Sequence, residues 1–143
     1  MIKPIMRLLR KFYLKQSSLE RISPNDWIEG RQIHYDFEHQ SLVITGLPPI
    51  VKIFSIADTN SMDGLLDIGH NVIATDNFGK SKLSIGDIVI YQVYLTKIVH
   101  RIVEITEDNN GRIYRCRGDN NVDTDPYYLR DENIIYLVLG VIY

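Results

Sequence analysis

Short apolar runs separated by clusters of Gly, Pro, Asn and Asp set the pattern of this chain, and a helical period is confined to its first residues. Ile33, Tyr35 and Phe37 alternate with Gln32, His34 and Asp36. Glu38-His39-Gln40 then turns the chain into Ser41-Leu42-Val43-Ile44-Thr45, so residues 31–45 read as a hairpin. Gly46-Leu47-Pro48-Pro49 breaks the sheet, and the β-branched run at 51–57 reads as a strand that ends at Asp58-Thr59-Asn60. After the Asp63-Gly64 turn and one apolar bump at Leu65-Leu66, residues 71–75 resume as strand. Residues 76–82 are a polar loop, and 85–91 form a strand apolar on both faces, as a core strand is. Residues 97–106 and 112–118 flank Asn110-Gly111, a strong hairpin signal. No element is assigned beyond Pro126.

The expected fold is therefore mainly β, with a β domain at 23–143 and a basic amphipathic segment at 1–22. In that segment Lys3, Arg7, Arg10, Lys11 and Lys15 have no acidic neighbour within the first fifteen residues, and Ile5, Leu8, Leu9 and Phe12 recur at helical spacing. A short helix of this kind can pack its stripe on the domain, lie peripherally on an anionic membrane, or dock on a protein partner through residues 1–15.

Composition narrows the classes. At 143 residues the chain is the size of one domain, and a net charge of −2 indicates no nucleic-acid partner. Cys116 is the only cysteine, which rules out an intrachain disulfide and a Cys-rich zinc site; within its strand it reads as a packed residue. His34 and His39 carry no paired metal spacing and read as solvated surface histidines, so no metal or cofactor is indicated. No window approaches a membrane-spanning apolar length, and no secretory apolar region is found, so a soluble or peripheral membrane protein is expected.

Two places carry candidate chemistry. Ser61 lies just past a strand end, with the Thr59 hydroxyl two residues back and on the same side if the chain stays extended. Read alone, both are turn formers. His100 sits within an apolar run and, read alone, is a core histidine held by one hydrogen bond. Lys97 is a competing base, but its offset of three from His100 lets only one of them face Ser61 on a regular strand. If Asn110 and Gly111 are the two central turn residues, Ile102 faces Asp119 and His100 faces Asn121. Asp119 is then a diagonal neighbour able to orient the imidazole. A one-residue slip would turn Asp119 away, and Asp123 and Asp125 lie just beyond, where the loop can reach back.

Taken together, NSM at 60–62, GDIVIY at 86–91, IVHRIVEI at 98–105 and RGDNNVDTDP at 117–126 resemble the serine peptidases of the signal peptidase superfamily. The likeness is greatest to the archaeal and endoplasmic reticulum type, which uses histidine where the bacterial type and the LexA-like repressors use lysine. It implies an all-β catalytic domain with a short N-terminal helix and a polypeptide substrate. By the same resemblance Ser61 is the nucleophile, His100 the general base, Asp119 and Asp125 the acidic residues, and Thr59 an oxyanion-hole hydroxyl. The chain departs from the family at Asn60, where a small residue is usual, at Asp63-Gly64, where a Pro is usual, and at Gly69-His70, where Gly-Asp is usual. The absence of a membrane-spanning stretch is a further departure. Two other readings remain: a non-catalytic interaction or assembly module that keeps the fold, of viral or mobile-element kind, and a LexA-like self-cleaving regulator. Against the last, neither Ala-Gly nor Cys-Gly occurs in the chain.

Overall fold

The structure is a computed structural model that describes residues 22–143, so the basic N-terminal segment and its expected helix lie outside the described residues. The first alternating run forms the expected hairpin, β1 (Ile33–Asp36) and β2 (Ser41–Ile44), in antiparallel register from Ile33 opposite Ile44 to Asp36 opposite Ser41. Asp36 closes its turn by accepting from the Glu38 and His39 backbone N–H groups, and its other oxygen lies 2.8 Å from His39 Nδ1. His34 is exposed, as expected.

The remaining strands build one antiparallel sheet from β3 (Lys52–Ser55), β4 (Asn71–Thr75), β5 (Ile88–Val93), β6 (Thr96–Asp108), β7 (Gly111–Arg117) and β8 (Ile134–Ile142), in the order β3-β4-β8-β5-β6-β7. The element without a forecast is thus a central one. β8 runs between β4 and β5 and joins the two halves of the sheet, with Val72 opposite Val141 on one side and Val89 opposite Leu137 on the other.

β5 buries both faces, as its sequence predicts. Val89 and Tyr91 pack with Leu83, Ile102, Tyr114, Cys116, Leu129, Ile134 and Leu137, whereas Ile88 and Ile90 pack with Met62, Leu66, Val72, Ala74 and Val138. Cys116 is fully buried; burial, and then the charge of nearby Asp125, push its thiol well above the usual range, so it packs rather than reacts.

The second hairpin departs from the expected register. Its central residues are Asn109 and Asn110, with Asp108 opposite Gly111. Gly111 takes φ +105, whereas Asn109 and Asn110 keep negative φ, so Asn-Gly ends a turn here instead of forming its two central positions. A bulge follows between Ile102 and Glu104, after which Arg101 faces Arg117. That extra residue reverses the facing of everything beyond it. Asp119 is carried away from His100, and its expected diagonal pairing is not formed.

A strap from Ile22 to Trp27 crosses the start of β5 and is pinned by the fully buried Asp87. One carboxylate oxygen accepts from the Asn25 N–H (2.8 Å) and Trp27 Nε1 (3.0 Å), the other from the Ser84 N–H (2.9 Å) and Asn25 Nδ2 (3.1 Å). Asp87→Ala strands these donors and is expected to destabilise the domain by roughly 2–4 kcal/mol, read as a lowered midpoint in urea unfolding; an unchanged midpoint would refute the pinning.

Candidate active site

The site begins with the backbone around Ser61. Asn60 takes φ +55, a left-handed conformation that short amide side chains tolerate and most residues avoid. The kink brings the Thr59 and Ser61 hydroxyl oxygens to 3.2 Å. The expected pairing of the two hydroxyls is therefore formed, but through a bend in place of an extended chain.

Ser61 is held from both sides. The next residue, Met62, is buried with Leu66, and their turn is closed by Leu66 N–H donating to the Met62 carbonyl at 2.8 Å. Across from it, Asn120 N–H donates to the Ser61 carbonyl (2.9 Å) and Asn120 Nδ2 to the Asn60 carbonyl (3.0 Å). Asp119 N–H points at Met62 Sδ at 3.3 Å. Gly118 allows this approach: a Cβ there would stand 2.3 Å from the Ser61 carbonyl oxygen and 2.9 Å from His100 Nε2. The GDNN segment at 118–121 thus clamps the backbone of Ser61.

His100 lies opposite Val89 in the β5/β6 pair and is buried. Its Nε2 is 2.9 Å from Ser61 Oγ, and its Nδ1 is 2.7 Å from Asp125 Oδ2. Asp125, also buried, is anchored by its N–H donating to the Cys116 carbonyl at 2.8 Å. Of the carboxylates considered, Asp125 meets the imidazole. Asp123 is exposed, and Asp119 instead forms a two-pronged pair with Arg101, Nε to Oδ1 at 2.8 Å and one terminal nitrogen to Oδ2 at 2.7 Å. The other Arg101 terminal nitrogen donates to the carbonyls of Gly86 (2.8 Å) and Ile22 (3.3 Å), tying the back of the site to the strap. Lys97 is exposed and lines the same groove, but the side chain that reaches Ser61 Oγ from β6 is His100.

One participant lay outside the forecast. Tyr91, fully buried on β5, donates its hydroxyl to Asp125 Oδ2 at 2.7 Å. Burial, and then that hydrogen bond to a carboxylate, push its phenol far above its ordinary range, so it stays a neutral donor. The available signal was facing: Tyr91 lies two residues from the partner of His100 on the neighbouring strand, a relation that appears only once the register is known.

In front of Ser61 and His100 runs a groove of about 360 Å³, walled by Phe54, Ile56, Met62, Val72, Ile90 and Val99. It is apolar apart from the hydroxyls, the imidazole and Lys97 at its rim. Among the described residues no group of three or more His, Cys, Asp or Glu side chains is placed to hold a metal ion, and no helix is long and apolar enough to cross a membrane.

A serine hydroxyl in hydrogen-bond reach of an imidazole, the imidazole bonded on its other side to a buried carboxylate, and a groove alongside form an arrangement suited to acyl transfer. Over 77 residues the chain is 29% identical to signal peptidase I W of Bacillus subtilis (strain 168), a stretch covering 53% of this chain and 40% of that protein. The chain thus spans about two fifths of that relative's length, and the likeness supports the signal peptidase superfamily at this coarse level. No family model and no solved structure matches the chain.

Proposed function

We propose that this domain is a serine endopeptidase of signal peptidase type that works with histidine as its base. The observation that carries the reading is the unbroken relay of 2.9 Å from Ser61 Oγ to His100 Nε2 and 2.7 Å from His100 Nδ1 to Asp125. In the reaction His100 takes the Ser61 proton as Oγ attacks a peptide carbonyl. The oxyanion is met by the Thr59 hydroxyl and the Ser61 backbone N–H, two donors on the nucleophile's own turn. The imidazolium then gives its proton to the departing amine, and water, activated by the same ring, releases the acyl group. Asp125 fixes the tautomer that leaves Nε2 free to accept, and stabilises the ring while it is charged.

The groove favours an extended polypeptide with apolar side chains at the positions that enter it, because its walls offer few polar partners. A histidine base in a chain similar to a signal peptidase supports the archaeal and endoplasmic reticulum type over the lysine type. Cleavage of secretory precursors is the matching substrate class.

The direct test is a fluorophosphonate probe on the purified chain, followed by mapping of the adduct. One adduct on Ser61, blocked by prior heat denaturation, is the expected outcome. An unlabelled Ser61 together with intact apolar peptide substrates would overturn the reading in favour of a non-catalytic module.

A further inference from the structure

We infer that the Tyr91 hydroxyl is a positioning group for the Asp125–His100 pair, holding the carboxylate in line with the imidazole and tempering its pull on the ring. The inference rests on the reading that His100 takes the Ser61 proton, and it concerns how strong a base that ring is.

The geometry is over-determined. Val89 is directly opposite His100, so Tyr91, two residues further along β5, is its diagonal neighbour on the same face of the sheet. The two rings meet edge to face with centroids 6.4 Å apart. The Tyr91 ring is itself locked among buried side chains that include Cys116, Leu129 and Ile134, which places its hydroxyl without freedom to swing. That hydroxyl and His100 Nδ1 both stand 2.7 Å from one oxygen, Asp125 Oδ2. An ionised carboxylate only accepts, so both are donors, and two donors on one oxygen fix the torsion of a side chain that leaves from a loop.

The electrostatic consequence follows from sharing. A hydroxyl donating to a carboxylate stabilises its charge and draws density from the bond to the second donor. The groups that meet the His100 ring are Tyr91 from β5, Asp125 from the loop between β7 and β8, and Ser61 from the turn after β3; Cys116 and Tyr127 pack on Tyr91 behind it, and Lys97 lines the groove in front. Burial keeps the Tyr91 phenol and the Cys116 thiol neutral, so the charge in contact with the ring is that of Asp125, and the Tyr91 hydroxyl shares the oxygen that makes the contact. With the hydroxyl absent, the carboxylate binds the imidazolium more tightly and its torsion loosens.

The test reads the ring, not the reaction. With ¹⁵N-labelled histidine in the whole chain, the His100 ring titration is followed by NMR in the parent, in Tyr91→Phe, and in a variant with 3-fluorotyrosine at position 91, whose hydroxyl is a stronger donor. The midpoint is expected to rise by about half a pH unit or more in Tyr91→Phe, about threefold in proton affinity, and to fall in the fluorinated variant. In cleavage assays the acid limb of kcat/KM moves with it, and kcat drops about threefold to tenfold with KM within about twofold. A midpoint unmoved in the fluorinated variant, or lowered in a folded Tyr91→Phe, overturns the inference; should Tyr91→Phe fail to fold, the fluorinated variant decides alone. Opposite shifts in the two variants with no peptide cleaved by the parent would uphold Tyr91 as the positioning group and overturn the peptidase reading instead.

Discussion

Replacement of Ser61 by Ala, or of His100 by Gln, is expected to lower peptide cleavage by at least about a thousandfold, and the double variant to lose little more than either single one. Ser61 Oγ is the only atom of its side chain that the relay uses, and the residue is only partly buried, so the Ala variant keeps the fold. His100→Gln keeps a polar side chain near Asp125 yet cannot take up a proton at the groove. Because one attack needs both groups together, removing the second after the first takes away nothing further, and this non-additivity separates a shared reaction step from two independent losses of stability. The measurement is kcat/KM on an apolar peptide with thermal unfolding of each variant alongside. A folded variant of either kind that cleaves within tenfold of the parent would exclude this pair as nucleophile and base.

The sequence carried the strands of this domain where their neighbours in the chain determine them. Alternation placed β1 and β2, and the doubly apolar run at 85–91 placed a core strand whose two faces feed two clusters. β8 went unassigned for a physical reason: Ile134–Ile142 is apolar on both faces, so it has no alternation to declare its period, and its partners lie more than forty residues earlier in β4 and β5. The same divide runs through the site. Ser61 and His100, a turn former and a core histidine when each is read alone, were legible as a pair only through the resemblance that the four motifs carry together. The choice between Asp119 and Asp125 was not, because it depends on one bulged residue near Val103 and on whether Gly111 sits inside or after its turn. Thr59 shows a further case, in which the expected neighbour of Ser61 is reached through a left-handed Asn60 that no alternation rule contains. Local pattern determines which residues are available; register determines which of them meet.

Register also gives the sharpest contrast between two acidic residues six positions apart. Asp125→Asn is expected to lower kcat by about 10³–10⁴ with little change in KM, since the amide keeps the shape but removes the charge that stabilises the imidazolium. The oxygen facing Nδ1 also accepts from Tyr91, so the hydroxyl would favour the carbonyl of the new amide at that place and preserve the geometry. The loss is therefore one of charge, and it should persist at any pH where the parent is active. Asp119→Asn breaks one prong of the buried pair with Arg101, behind the site and against the strap, and is expected to cost roughly 2–4 kcal/mol of stability while kcat of the folded protein stays within about tenfold. Steady-state kinetics and denaturant unfolding on both variants decide between them. If Asp125→Asn keeps kcat within about tenfold while Asp119→Asn lowers it in folded protein, the carboxylate at 2.7 Å from the ring is not the one the reaction needs, and the relay from Ser61 must be redrawn through Arg101.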